Sequence, residues 1–160
     1  MTHFTQIEHA YQMLVNGTPE ERAKAIELMG EFAYAPAVPH LIELVRDADP
    51  GTRYLAATAL GRIGDEAENA VDVLLMALRY DDMFLRMAIT GALISIGQPA
   101  VPGLVKALFD QNRAVRRASA MALGKIGNKR AIPPLQVALK DSDPGVRKLS
   151  AQALERLEAM

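Results

Sequence analysis

The chain has 160 residues, half of them apolar, with 18 Lys and Arg against 19 Asp and Glu and a net charge of −1. It contains no Cys, which excludes disulfides, thiolate metal ligands, thiolate nucleophiles and thioether attachment of a cofactor. The length suits a single domain over residues 1–160, the near-zero charge disfavours a dedicated nucleic-acid binder, and no apolar run approaches the roughly 18 residues of a membrane span.

Five copies of one pattern run along the chain, aligned on Arg22, Arg53, Arg86, Arg116 and Arg147 with spacings of 31, 33, 30 and 31 residues. Such a period is that of stacked helical hairpins. The first copy, residues 5–33, opens with Gln6-Ile7-Glu8, carries Thr18-Pro19 ahead of its arginine and ends irregularly at Gly30-Glu31-Phe32-Ala33. The second, residues 36–64, has Ala37-Val38-Pro39, then Asp49-Pro50, and closes on Leu60-Gly61-Arg62-Ile63-Gly64. The third, residues 69–97, has Ala70-Val71-Asp72 and Asp82 but departs from the pattern with Met83 in place of Pro and Ile94 in place of Gly. The fourth, residues 99–127, has Ala100-Val101-Pro102, Asn112 and Ala122-Leu123-Gly124-Lys125-Ile126-Gly127. The fifth, residues 130–158, has Ala131-Ile132-Pro133 and Asp143-Pro144 and exchanges both closing glycines for Glu155 and Glu158, as a terminal cap with no following repeat does.

The residue four before each arginine is Thr18, Asp49, Asp82, Asn112 or Asp143, all of them residues that cap helix N-termini, so the second helix of each hairpin starts there. Pro19, Pro50 and Pro144 follow at the first helical position, where a missing N–H costs nothing. Gly64, Gly97 and Gly127 are expected to close these helices in the left-handed conformation. The linkers leave no room for a strand or a second domain.

The motifs Asp143-Pro144-Gly145-Val146-Arg147 and Ala122-Leu123-Gly124-Lys125-Ile126-Gly127 resemble the HEAT-like repeats of the phycobilisome-lyase type, and the resemblance covers nearly the whole chain. It implies an all-α fold, a right-handed α-α superhelix (α-solenoid) of about five HEAT-like hairpins. It also implies a structural role for the Asp and Arg pair, and an alternative function as a subunit or relative of a bilin lyase acting on phycobiliproteins. Members of this repeat fold that are iron-dependent hydroxylases carry His-Glu dipeptides, which this chain lacks.

Chemistry-bearing residues mostly have structural readings. The five arginines sit one turn after their caps, where a guanidinium bonds carboxylates and carbonyls of the hairpin turns. His3, His9 and His40 lack the spacing of three or four that helical metal ligands need, so no metal site is expected. Asp65, Glu66, Glu68, Asp81 and Asp82 fall at turns and helix starts, and no catalytic triad or phosphate loop is present. No catalytic residue is assigned, and the chain reads as a non-enzyme.

At 100° per residue, the core side of each second helix holds the positions one before the arginine and three, six, seven and ten after it. The opposite side, at three before and one, five and eight after, is expected to face solvent on the inner surface. There the sequence places Tyr54, Met83, Met87, Ile94 and Met121, with Phe84 adjacent, an apolar group that no core requires and that fits a protein partner. Arg113, Arg117 and Lys148 flank it and are expected to orient a partner with an apolar ridge and acidic residues at one end. The competing reading buries Phe84 and Ile94 against a neighbouring hairpin and leaves the methionines as scattered surface residues.

The expected function is a cytoplasmic, non-enzymatic adaptor with no cofactor and another protein as partner. In the lyase-related alternative a bilin is held non-covalently in the same groove, with Arg117 or Lys148 on its propionates and Tyr54 or Phe84 stacked on its rings. Residues 1–105 carry seven basic against fourteen acidic side chains and residues 106–148 ten against three, an asymmetry that permits head-to-tail self-association. Nucleic-acid binding by the basic segment is the least favoured reading.

Overall fold

A computed structural model describes residues 3–46 and 49–160. Among them are ten α-helices and no strand. The first hairpin pairs α1 (His3–Asn16) with α2 (Pro19–Glu31), and the second pairs α3 (Val38–Val45) with α4 (Pro50–Ile63). Then follow α5 (Val71–Ala77) with α6 (Met83–Ile96), α7 (Val101–Ala107) with α8 (Arg113–Ile126), and α9 (Ile132–Ala138) with α10 (Pro144–Glu158). From the second hairpin on, each first helix is entered through a 3-10 turn, such as Gln98–Ala100. The hairpins stack into an α-solenoid, with the second helices α2, α4, α6, α8 and α10 packed in sequence order.

The caps explain where these helices start. Thr18 forms a capping box with Glu21, and Asp49, Asp82, Asn112 and Asp143 each accept hydrogen bonds from backbone N–H groups of the first turn. The closures differ from expectation. Gly127 is left-handed at φ 81°, ψ 25°, but Gly64 and Gly97 have φ 77° and 74° with ψ −138° and −130°, a region open only to glycine. The following 3-10 turn begins at Gly64 itself or immediately after Gly97, whereas Asn128 intervenes after Gly127. In the irregular first hairpin the equivalent bend falls at Ala33, with φ 47°.

Leu85, Ile89, Ala92, Leu93 and Ile96 of α6 are buried, as the helical arithmetic requires, in an apolar core that runs from Ala10 to Leu157. The arginines tie the turns together. Arg86 donates to the Tyr80 carbonyl at 2.8 Å and Arg147 to the Asp141 carbonyl at 2.8 Å, while Arg116 donates to the Asp110 and Gln111 carbonyls at 2.9 and 3.0 Å. Arg116 also makes a bidentate pair with Asp141 of the next hairpin at 2.9 and 3.0 Å. Arg53 lies over the Tyr80 ring, 3.7 Å from its centroid. Tyr11 Oη and His40 Nδ1 are 3.1 Å apart, and the side chain of His3 lies outside the described residues.

Glycine sets the spacing of the stack. A Cβ on Gly30, Gly61 or Gly124 would lie 2.9, 2.9 or 2.7 Å from the Cα of Ala59, Ala92 or Ala153 on the next second helix. The position eight after the arginine is therefore a seam between neighbouring helices, which corrects its assignment to the solvent-facing side. The third copy places Ile94 at that seam, and α6 and α8 approach each other less closely than α4 and α6 or α8 and α10 do. A secondary butyl group in place of a hydrogen holds the two helices apart.

Candidate functional site

A groove of about 810 Å³ opens where Ile94 separates α6 from α8. Its apolar lining comes from Met83, Met87 and Ile94 on α6, Met121 on α8 and Leu149 on α10. Met83, Met87 and Met121 are exposed, at 59%, 65% and 39%, although each stands beside a filled core. Ile94 is half-buried, packed against the core edge with its flank in the groove. Between them Gly91 leaves a gap, since a Cβ built there would meet nothing within 4 Å.

Three of the residues expected on this surface lie elsewhere. Phe84 is exposed on the first turn of α6 and does not line the groove, so it is neither covered by a neighbouring hairpin nor grouped with the methionines. Tyr54 and Lys148 occupy the same helical position as Met87, but on α4 and α10, one hairpin outside each wall. Met83, Met87, Ile94, Arg113, Arg117 and Met121 are brought together.

The cations around the groove fall into two groups. Arg79 is bonded to Asp110, and Arg86 to the Tyr80 carbonyl and, at 3.4 Å, to Asp81. Arg117 donates to both carboxylate oxygens of Asp143 at 2.6 and 2.7 Å, so it is a cross-hairpin strut and not the free cation the sequence suggested. This fork passes over Gly145, where a Cβ would fall 2.4 Å from Arg117 Nε. The bonded Arg117 guanidinium holds the Asp143 carboxyl well below the usual carboxylate range, helped by the Val146 N–H and the charge of Arg113 against the opposing effect of burial. The same bond raises Arg117. Arg113 and Lys125 form the second group. Both line the groove, and neither makes a hydrogen bond or ion pair among the described residues.

Among the described residues no three His, Asp or Glu side chains converge as a metal site. No single helix is long and apolar enough to cross a membrane; α6 and the following segment together reach that apolar length but meet at 111°.

A family model of HEAT repeats matches residues 7–94 and 101–159. The chain belongs to the HEAT-repeat family. Its repeats are of the phycobilisome-lyase type: it is 30% identical over 130 residues to the uncharacterized phycocyanin operon protein Z of Pseudanabaena tenuis (strain PCC 7409), covering 76% of this chain and 63% of that relative. This HEAT-repeat chain therefore spans under two thirds of the relative's length. Among solved structures it is similar to the complex of CpcE and CpcF of phycocyanin lyase from Nostoc sp. PCC7120, at 26% identity and a TM-score of 0.65 over 96% of this chain and 65% of the other. The archaeal HEAT-like repeats protein from Thermococcus onnurineus NA1 shares the fold at 11% identity, with a TM-score of 0.70 over 98% of this chain and 72% of that one.

Two features of the groove in this HEAT-repeat chain escaped the sequence. Lys125, in the last turn of α8, reads in sequence as a cation complementing the helix C-terminus. Gly91 reads as one more small residue of an Ala-rich run. Its difference from Gly30, Gly61 and Gly124 lies in its place five, not eight, after the arginine.

Proposed function

We propose that this HEAT-repeat chain is a non-enzymatic scaffold that binds another protein along the groove between α6 and α8. The observation that carries the reading is the exchange of a seam glycine for Ile94, which opens the stack at the junction where Met83, Met87 and Met121 are exposed. Unbranched methionines adapt to a partner's side chains, and an apolar group of this kind on an otherwise polar face is a binding feature. Affinity capture from cells of the source organism with the wild-type chain and a Met87→Glu, Met121→Glu variant tests it. A protein retained by the wild type alone supports the scaffold, and identical captures contradict it.

A second reading, a role beside or within a bilin lyase acting on phycobiliproteins, is favoured by the similarity to the phycocyanin operon protein and to the CpcE and CpcF complex. With no Cys, any bilin is held non-covalently. The residues first suggested for the pigment do not favour it: Tyr54, Phe84 and Lys148 stand outside the groove and Arg117 is occupied by Asp143. Mixing the chain with free bilin and following absorbance and fluorescence separates the readings. A spectral change lost in the Met87→Glu variant supports pigment binding, and an unchanged spectrum contradicts it.

A further inference from the structure

The groove's charge and the gap in its floor specify an occupant more closely than "another protein". Resting on the scaffold reading above, we propose that the groove takes an acidic amphipathic helix of a partner, with one large apolar side chain seated over Gly91 and carboxylates three turns apart reaching Arg113 and Lys125.

Around the groove, cations with partners stand beside cations without them. Arg79, Arg86 and Arg117 are held by Asp110, the Tyr80 carbonyl and Asp143, whereas Arg113 and Lys125 have no hydrogen-bond or ion-pair partner among the described residues. The only carboxylate on the lining, Asp81, lies against Arg86. Arg113 begins α8 and Lys125 stands one residue from its end, so twelve helical steps, about 18 Å at 1.5 Å each, separate them. Residues eleven apart on a docked helix share one face and span nearly the same length. The groove thus offers a cation free of hydrogen-bond and ion-pair partners near each end, Arg113 facing the Asp143 charge at longer range, where the sequence alone suggested acidic residues at only one end.

Between the two cations the groove has a gap at Gly91. Met87 and Ile94, one turn on either side of it, and Met121 across the groove frame an open space, where a Cβ built on Gly91 meets no atom within 4 Å beyond its chain neighbours and the backbone of its own helix. A hole framed by residues of two neighbouring helices accepts a side chain from a third helix laid between them. An extended peptide meets the groove with alternating residues and leaves the hole to chance. A second copy of this chain fits poorly: Glu20 and Glu31 of its α2 have the right separation, but Lys24 and Glu27 lie between them where an apolar residue is needed.

The test uses the whole chain and three labelled helical peptides of Ala and Gln: one with two Glu three turns apart and Leu between, one with Lys for both Glu, and one with Ala for the Leu. Fluorescence anisotropy should give the Glu and Leu peptide at least about ten-fold tighter binding than either of the others. An Arg113→Glu, Lys125→Glu variant should invert the preference between Glu and Lys peptides, a result that loss of folding does not produce. Gly91→Leu and Gly91→Trp should each weaken the Glu and Leu peptide at least about ten-fold without lowering the melting temperature. Equal affinities for the Glu and Lys peptides, no saturable binding of any peptide at millimolar concentration, or an uninverted preference overturns the proposal. So does a dimer in sedimentation that Gly91→Trp dissociates, because a second copy then fills the groove. If the Met87 and Met121 residues still govern capture while the peptides fail, only the occupant is wrong and the scaffold reading stands.

Discussion

Gly61 packs so closely on Ala92 that a Cβ at Gly61 would lie 2.9 Å from the Ala92 Cα, while at the next junction the same repeat position holds Ile94. One substitution thus turns a closed seam into a groove. Gly61→Ala and Gly124→Ala force backbone against backbone and should each destabilise by about 1–3 kcal/mol. Gly91→Ala places its methyl in open space within a helix and should stabilise by about 0.5–1 kcal/mol. Urea denaturation of the three variants checks this contrast, and a uniform effect of one sign contradicts the seam.

The Arg117 and Asp143 strut predicts a specific pH dependence. The folded Asp143 carboxyl is held below its unfolded value near 3.9, so its contribution is present above that pH and fades as the pH falls below it. Asp143→Asn keeps a side-chain oxygen to cap α10 but removes the charge and one of the two oxygens that accept from Arg117. The variant should be less stable than wild type at pH 7, and the gap should narrow steadily as the pH falls from 4 toward 2, measured by urea melts across that range. A difference that persists unchanged in acid shows that the strut contributes nothing.

Arg116 joins two turns through four side-chain hydrogen bonds, to the Asp110 and Gln111 carbonyls and to both oxygens of Asp141, with side-chain exposures of 13% for Arg116 and 12% for Asp141. Removing one partner of such a sequestered pair leaves the other uncompensated, so Arg116→Ala should cost about 3 kcal/mol. In a double-mutant cycle with Asp141→Ala the two losses should be far from additive. Additive losses mean that this pair does not couple its two hairpins.

Met87→Glu and Met121→Glu replace exposed side chains and should change the melting temperature by less than about 2 °C while removing partner capture. A loss of several degrees assigns these residues to the fold instead.

The hairpins, their five caps and the core face of α6 were legible because each depends on local chemistry: a capping oxygen, a proline at the first helical position, a 3.6-residue period. The seam was not. Projecting one helix at 100° per residue separates core from non-core but cannot tell a neighbouring hairpin from solvent, so the position of Ile94 was taken for an open face. The signal was present in Gly30, Gly61 and Gly124 recurring eight after the arginine, with Ala59, Ala92 and Ala153 recurring six after it. Arg117 was misread as free for a related reason. Its partner is 26 residues away, on the cap of the next hairpin, and only the stacking brings the two together. Gly64 and Gly97 were rightly placed at bends, but they pair a positive φ with an extended ψ, and only Gly127, separated from its 3-10 turn by Asn128, is left-handed.

The central claim is that binding occurs in the groove between α6 and α8. Hydrogen–deuterium exchange of the chain alone and with its captured partner addresses it most directly. Slowed exchange should concentrate in Met83–Ile96 and Arg113–Ile126 and vanish with the Met87→Glu, Met121→Glu variant. Protection confined to the first helices of the hairpins, or to α1 and α10 at the ends of the stack, contradicts it.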